Sequence, residues 1–175
     1  QKLQLIGIIG SGTMGAGIAQ VAAMAGHEVV VMDTQPAMLQ KASAALDTTL
    51  KKLTEKGKLT AEQAAVLQQK IRWTSQMDDL KDAGMVIEAI IEQLELKQQL
   101  FTQLEQIVSD DCILASNTSS LSITSIASAC RRAARVLGIH FFNPAPLMEL
   151  VEIVPALQTE SAVCEQARTL IDSWK

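Results

Sequence analysis

A chain of 175 residues is one domain by size, with length enough for a full core. Its 48% hydrophobic and 19% charged residues exclude a disordered chain, and a net charge of −4 leaves no electrostatic footprint for nucleic acid. No apolar run reaches the roughly 18 residues of a membrane helix, and a start at Gln1 without Met or a signal-peptide pattern points to a cytoplasmic chain trimmed at its beginning.

The first predicted elements carry the strongest signal. An apolar strand over 4–9 runs into Gly10-Ser11-Gly12-Thr13-Met14-Gly15. A small-residue helix over 13–25 follows, Gly26 stops it, and an apolar strand over 28–33 ends on Asp33. Strand, G-x-G-x-x-G turn, helix, strand and acid in this order make a dinucleotide-binding βαβ unit. Gly10 allows the tight turn, Gly12 the approach of the pyrophosphate, and Gly15 the close packing of helix on strand. The helix start at Thr13 and Met14 offers free N–H groups to phosphates. Asp33 is placed to accept from an adenosine ribose. Thr34, Gln35 and Pro36 follow it, with no cation for a 2′-phosphate, so NAD is expected rather than NADP. His27, before the second strand, reads as a surface turn residue.

A long helix starts at Pro36, a residue suited to the first helical position, and runs to about Leu53. Gly57 interrupts, and Thr60 caps a shorter helix to about Lys70. This helical hairpin, about 36–70, stands where a short crossover would do. Its tip holds Lys51, Lys52, Lys56 and Lys58 against Glu55. That charge reads either as a solvated helix end or as a basic arm for a polyanionic ligand.

Strand signals continue at 71–74, 85–90, 112–116, 135–140 and 148–154, with helices at 93–108, 121–129 and 159–173. The alternation predicts an α/β, Rossmann-like, doubly wound and mostly parallel sheet with the hairpin inserted. Cys112, Cys130 and Cys164 show no C-x-x-C pairing and read as buried hydrophobes in a reducing compartment.

Two segments leaving strands form a second constellation. Ser116-Asn117-Thr118-Ser119-Ser120 and His140-Phe141-Phe142-Asn143-Pro144 both fall at carboxyl ends, where open α/β sheets place ligands. His140 can take a proton from an alcohol as hydride leaves the same carbon, and Glu152 on the next strand could return to support it. On residues alone, a structural histidine among aromatics remains the alternative.

Together with residues 5–33, Val86-Ile87-Glu88-Ala89, Ser116 through Thr124, His140 through Pro146 and Leu150-Val151-Glu152 closely resemble the 3-hydroxyacyl-CoA dehydrogenase family. The likeness covers essentially the whole chain, and its H-F-F-N-P segment is specific. Bacterial 3-hydroxybutyryl-CoA and 3-hydroxyadipyl-CoA members are the most similar. The resemblance implies NAD-dependent interconversion of (S)-3-hydroxyacyl-CoA and 3-oxoacyl-CoA in fatty-acid, aromatic-acid or short-chain acyl-CoA metabolism. It implies His140 as base, Glu152 as its partner and Ser119 on the reacting oxygen. Asn143 and Ser119 would lie by the nicotinamide, with Glu92 and Lys97 contacting NAD. Ser43, Lys51, Lys52 and Lys56 are the implied CoA contacts. Glu149 stands where members often carry Lys. Beyond the last helix, the family continues through P-G-F-x-x-N-R into an all-helical domain that supplies a catalytic Asn and the homodimer surface. The chain ends at Lys175, so the expectation is an isolated cofactor-binding half, 1–175, that turns over poorly. Two other readings stand beside this one: a dehydrogenase of free hydroxy acids, and a non-catalytic NAD-binding protein.

Overall fold

A computed structural model describes residues 4–175. Seven strands form one sheet: β1 (Ile6–Ile9), β2 (Val29–Met32), β3 (Ile71–Thr74), β4 (Met85–Glu88), β5 (Ile113–Ser116), β6 (Val136–Phe141) and β7 (Val151–Pro155). Their spatial order is β3-β2-β1-β4-β5-β6-β7. Every pairing is parallel except that of β6 with β7. Among the described residues, six α-helices surround the sheet: α1 (Thr13–Met24), α2 (Pro36–Glu55), α3 (Ala61–Lys70), α4 (Leu94–Ile107), α5 (Ile123–Ala127) and α6 (Ser161–Asp172). The doubly wound parallel sheet expected from the alternation is the fold observed.

The strand sequences dictate this layering. Side chains alternate across a strand, so a strand covered on both faces must be apolar throughout. Ile6, Ile8, Val29 and Val31 enter one core with Ile18 of α1, Leu46 and Leu50 of α2 and Ile171 of α6. Ile9, Val30 and Met32 enter the other with Leu100, Phe101 and Leu104 of α4. Each such side chain contributes about 1.5–3 kcal/mol on burial. The chain order reverses between β1 and β4, which opens a crevice at their carboxyl ends.

The inserted hairpin forms as its sequence predicts. Pro36 occupies the first turn of α2, and Leu39, Ala42, Leu46 and Leu50 make its buried stripe. Thr60 caps α3 in a reciprocal capping box with Gln63.

Three expectations are corrected. The strand expected at 148–154 begins only at Val151, because Leu147 and Met148 donate to the Pro144 carbonyl and close a turn there. The helix expected over 121–129 is confined to Ile123–Ala127. His27 is not a surface residue. It is 1% exposed; its Nδ1 lies 2.7 Å from the Gln4 carbonyl and its ring packs edge-on against Trp174. The Gly26 backbone, at φ 102°, carries the chain into this inward turn.

Candidate functional site: a split cleft at the strand ends

The β1–α1 turn is shaped by contacts that only glycine tolerates. Gly10 sits at φ 96°, and a Cβ on Gly15 would lie 1.8 Å from the Gly10 carbonyl oxygen. At Gly12 a Cβ would meet nothing within 4 Å, so the turn leaves open space there. Gly12 at the N-cap supplies no side-chain cap, which leaves the first N–H groups of α1, those of Thr13 and Met14 among them, without that partner. A turn of this shape at a helix N-terminus suits an anion.

Asp33 closes one side of a cleft of about 510 Å³ that also includes Gly10, Gly12 and Gln35. Its Oδ2 accepts from the Ser11 N–H at 2.9 Å and the Ser11 hydroxyl at 2.8 Å. Oδ1 accepts from the Gln35 N–H at 3.0 Å. A carboxylate offers about four acceptor positions, so one remains for a ribose hydroxyl. A 2′-phosphate would meet this anion with no cation among the cleft's lining residues.

A second cavity of about 300 Å³ is lined by Met14, Asn117, Ser119, His140 and Asn143, with Glu92 and Lys97 in its wall. Ala89 and Ile90, just past β4, line both cavities, which therefore stand side by side at the strand ends. Antiparallel pairing of β6 with β7 sets His140 directly opposite Glu152. His140 Nδ1 lies 3.8 Å from Glu152 Oε1, close enough for charge attraction but beyond a hydrogen bond. The other ring nitrogen, Nε2, is therefore free of this partner. Phe142 packs on the imidazole at 4.5 Å between ring centres. Asn117 Oδ1 accepts from the Phe141 N–H at 2.8 Å and holds the His140 segment against the end of β5.

Beneath this cavity lies an ionic cluster that sequence reasoning only half found. Lys97 is wholly buried on the inward stripe of α4 with Leu100, Phe101 and Leu104. Its ammonium reaches Glu88 at 2.9 and 2.8 Å and Glu92 at 3.0 Å. Glu88 also accepts from the Ser116 hydroxyl, its neighbour in the β4–β5 register. Burial pushes the Glu92 carboxyl upward, but hydrogen bonds from Thr118 and Lys97 outweigh it and hold it below the usual carboxylate range. The signals for Glu88 were there: an acid closing an apolar strand, and a lysine on the apolar stripe of the following helix.

The structure thus gathers Gly10, Gly12, Thr13, Met14, Gly15, Asp33, Glu92, Lys97, Ser119, His140, Asn143 and Glu152 about one crevice. It does not bring the hairpin residues into either cavity. Lys51, Lys52 and Lys56 are exposed at the far end of α2, and Ser43 is half-buried eight residues earlier, about 12 Å along the helix. Ser11, Asn117 and Glu88 join the site without having been singled out. Burial pushes the thiols of Cys112 and Cys130 up to about 12, which leaves them inert at neutral pH.

Comparison with known proteins agrees with this geometry. Residues 5–175 match the family described as 3-hydroxyacyl-CoA dehydrogenase, NAD binding domain. A probable 3-hydroxybutyryl-CoA dehydrogenase of Deinococcus radiodurans is 46% identical, over 95% of this chain and 59% of its own length. A 3-hydroxyadipyl-CoA dehydrogenase of Escherichia coli is 44% identical, over 99% of this chain and 36% of its own. The crystal structure of (S)-3-hydroxybutyryl-CoA dehydrogenase from Ralstonia eutropha superposes with a TM-score of 0.95 at 41% identity, covering 99% of this chain and 61% of that one. The chain therefore spans roughly a third to three fifths of the length of these relatives. A phosphate cradle, an acid-lipped ribose cleft and an adjoining second cavity fit NAD, and the chain belongs to the 3-hydroxyacyl-CoA dehydrogenase family, whose NAD-binding domain it carries.

Proposed function

We propose that this domain serves the NAD-dependent oxidation of an (S)-3-hydroxyacyl-CoA to the 3-oxoacyl-CoA, or its reversal. One observation carries the reading: His140, backed by Glu152, shares a cavity with Ser119 and Asn143, and that cavity adjoins the Asp33 cleft. In this reading, Gly12, Thr13 and Met14 hold the pyrophosphate of NAD, Asp33 its adenosine ribose, and Asn143, Glu92 and Lys97 its nicotinamide half. Bound NAD supplies the hydride acceptor. His140 Nε2 takes the proton of the substrate hydroxyl as hydride departs from the same carbon. Glu152 faces Nδ1, and its charge stabilises the imidazolium that forms. The Ser119 hydroxyl orients the reacting oxygen, and the apolar wall of Met14 and Phe142 limits water.

The exposed lysines at the hairpin tip support an acyl-CoA over a free hydroxy acid, because CoA carries phosphates that such an arm attracts. We assign Ser43, Lys51, Lys52 and Lys56 to that contact. Three unpaired cysteines fit a reducing compartment, the cytoplasm in our reading.

The test is turnover of 3-hydroxybutyryl-CoA by the enzyme that carries this domain, followed by NADH formation. His140→Ala abolishes turnover while NAD affinity stays nearly intact. Glu152→Gln keeps the shape but lowers turnover by about 10²-fold or more. Near-normal rates in either variant overturn the assignment.

A further inference from the structure

Glu88, Lys97 and Glu92 form a cluster whose charges do not cancel. Each acceptor position of Glu88 faces a donor: Lys97 Nζ at 2.9 and 2.8 Å, the Ile90 N–H at 3.0 Å and the Ser116 hydroxyl. Glu88 forms a buried ion pair with the Lys97 ammonium. Lys97 Nζ faces four oxygens: both of Glu88, the Ile90 carbonyl at 3.2 Å and Glu92 Oε1 at 3.0 Å. The three protons of an ammonium serve them, with one shared between two oxygens. The second oxygen of Glu92 accepts from Thr118 at 2.5 Å and Ser120 at 3.1 Å. Two carboxylates against one ammonium leave one negative charge.

Fastening β4 to α4 needs only Glu88 and Lys97, and apolar side chains of similar volume would do it as well. Glu92 is surplus to that task. Its side chain is 41% exposed, and it lines the smaller cavity. The cavity's other lining side chains, Lys97 apart, are apolar, amide, hydroxyl or the His140 imidazole. Glu152, behind His140, adds a like charge rather than a balancing one.

An oxidised nicotinamide ring carries one positive charge, and a reduced ring carries none. A fixed charge in a partly desolvated cavity discriminates between the two far better than it would in water. We propose that Glu92, as the uncompensated charge of this cluster, shifts the site's relative affinity toward the oxidised cofactor and away from the reduced one. The inference rests on the cavity being the nicotinamide pocket, as argued above. Its consequence is that NADH is held more loosely, relative to NAD+, than the same pocket without the charge would hold it.

The test is the pair of dissociation constants for NAD+ and NADH, measured by calorimetry on the 175-residue chain. Glu92→Gln raises the ratio Kd(NAD+)/Kd(NADH) about tenfold. Glu92→Ser is a second neutral variant with the same expected direction, should the first fold poorly. Thr118→Val removes a hydrogen bond but keeps the charge, so its ratio stays within about twofold of the parent. Neutral variants that bind both nucleotides at the parental ratio overturn the proposal, including the case where both affinities fall together. A parent chain that binds neither nucleotide overturns the dinucleotide reading itself.

Discussion

Lys97, Arg135 and Glu88 are charged yet lie within the fold, and each meets oxygen or nitrogen partners there. Arg135 donates to the Ser109 carbonyl and lies 3.7 Å from Glu105. Lys97 and Glu88 satisfy each other. Glu92 differs, because its stabilised state is its charged state at a half-open wall. Although burial raises it, hydrogen bonds from Thr118 and Lys97 hold its carboxyl below the ordinary glutamate range in the folded state. A depressed carboxyl contributes stability that is fully present above the unfolded value and is lost as pH falls through the folded one. Melting temperature should therefore be insensitive to Glu92 above about pH 5 and should fall below it. Glu92→Gln should flatten part of that acid-side decline, as thermal unfolding between pH 2 and 6 would show. An unchanged acid profile in the variant contradicts the assigned hydrogen bonds. The sequence made single residues legible only where local spacing spoke. Asp33 and the glycines were read from the βαβ pattern, whereas His27 was misread because its burial depends on Trp174, 147 residues away in the chain.

Elements place the site by register. Parallel pairing sets Glu88 beside Ser116, and antiparallel pairing sets His140 opposite Glu152. Neither neighbour relation is written in local sequence, since it depends on which strands pair and in which direction. The strands themselves were legible because burial on both faces demands continuous apolar runs. The premature start expected for β7 arose from apolar residues, Met148 and Leu150, that the structure leaves exposed ahead of the strand. At this scale Gly15 is the strictest position. Its Cβ would overlap the Gly10 carbonyl, which belongs to backbone and cannot rotate away. Gly15→Ala should cost at least about 3 kcal/mol, read as a lowered urea midpoint. A loss under about 1 kcal/mol would mean that α1 can lift from β1 without penalty.

At the scale of the whole chain, the sheet is open and its order reverses between β1 and β4, where the candidate site lies. The Gly10–Gly15 turn, the Asp33 cleft and the His140 cavity all stand at these strand ends. This arrangement was legible as a class from the first thirty-odd residues, and the second cavity was legible through the His140 and Ser119 segments at strand ends. The ionic floor was not, because it joins β4, β5 and α4 through side chains that meet only in the folded sheet. Calorimetric titration of the 175-residue chain with NAD and with NADP tests the central claim most directly. NAD should bind, and at least about tenfold more tightly than NADP, since Asp33 presents a carboxylate where the 2′-phosphate would lie. Absence of NAD binding, or equal or tighter binding of NADP, would contradict the account.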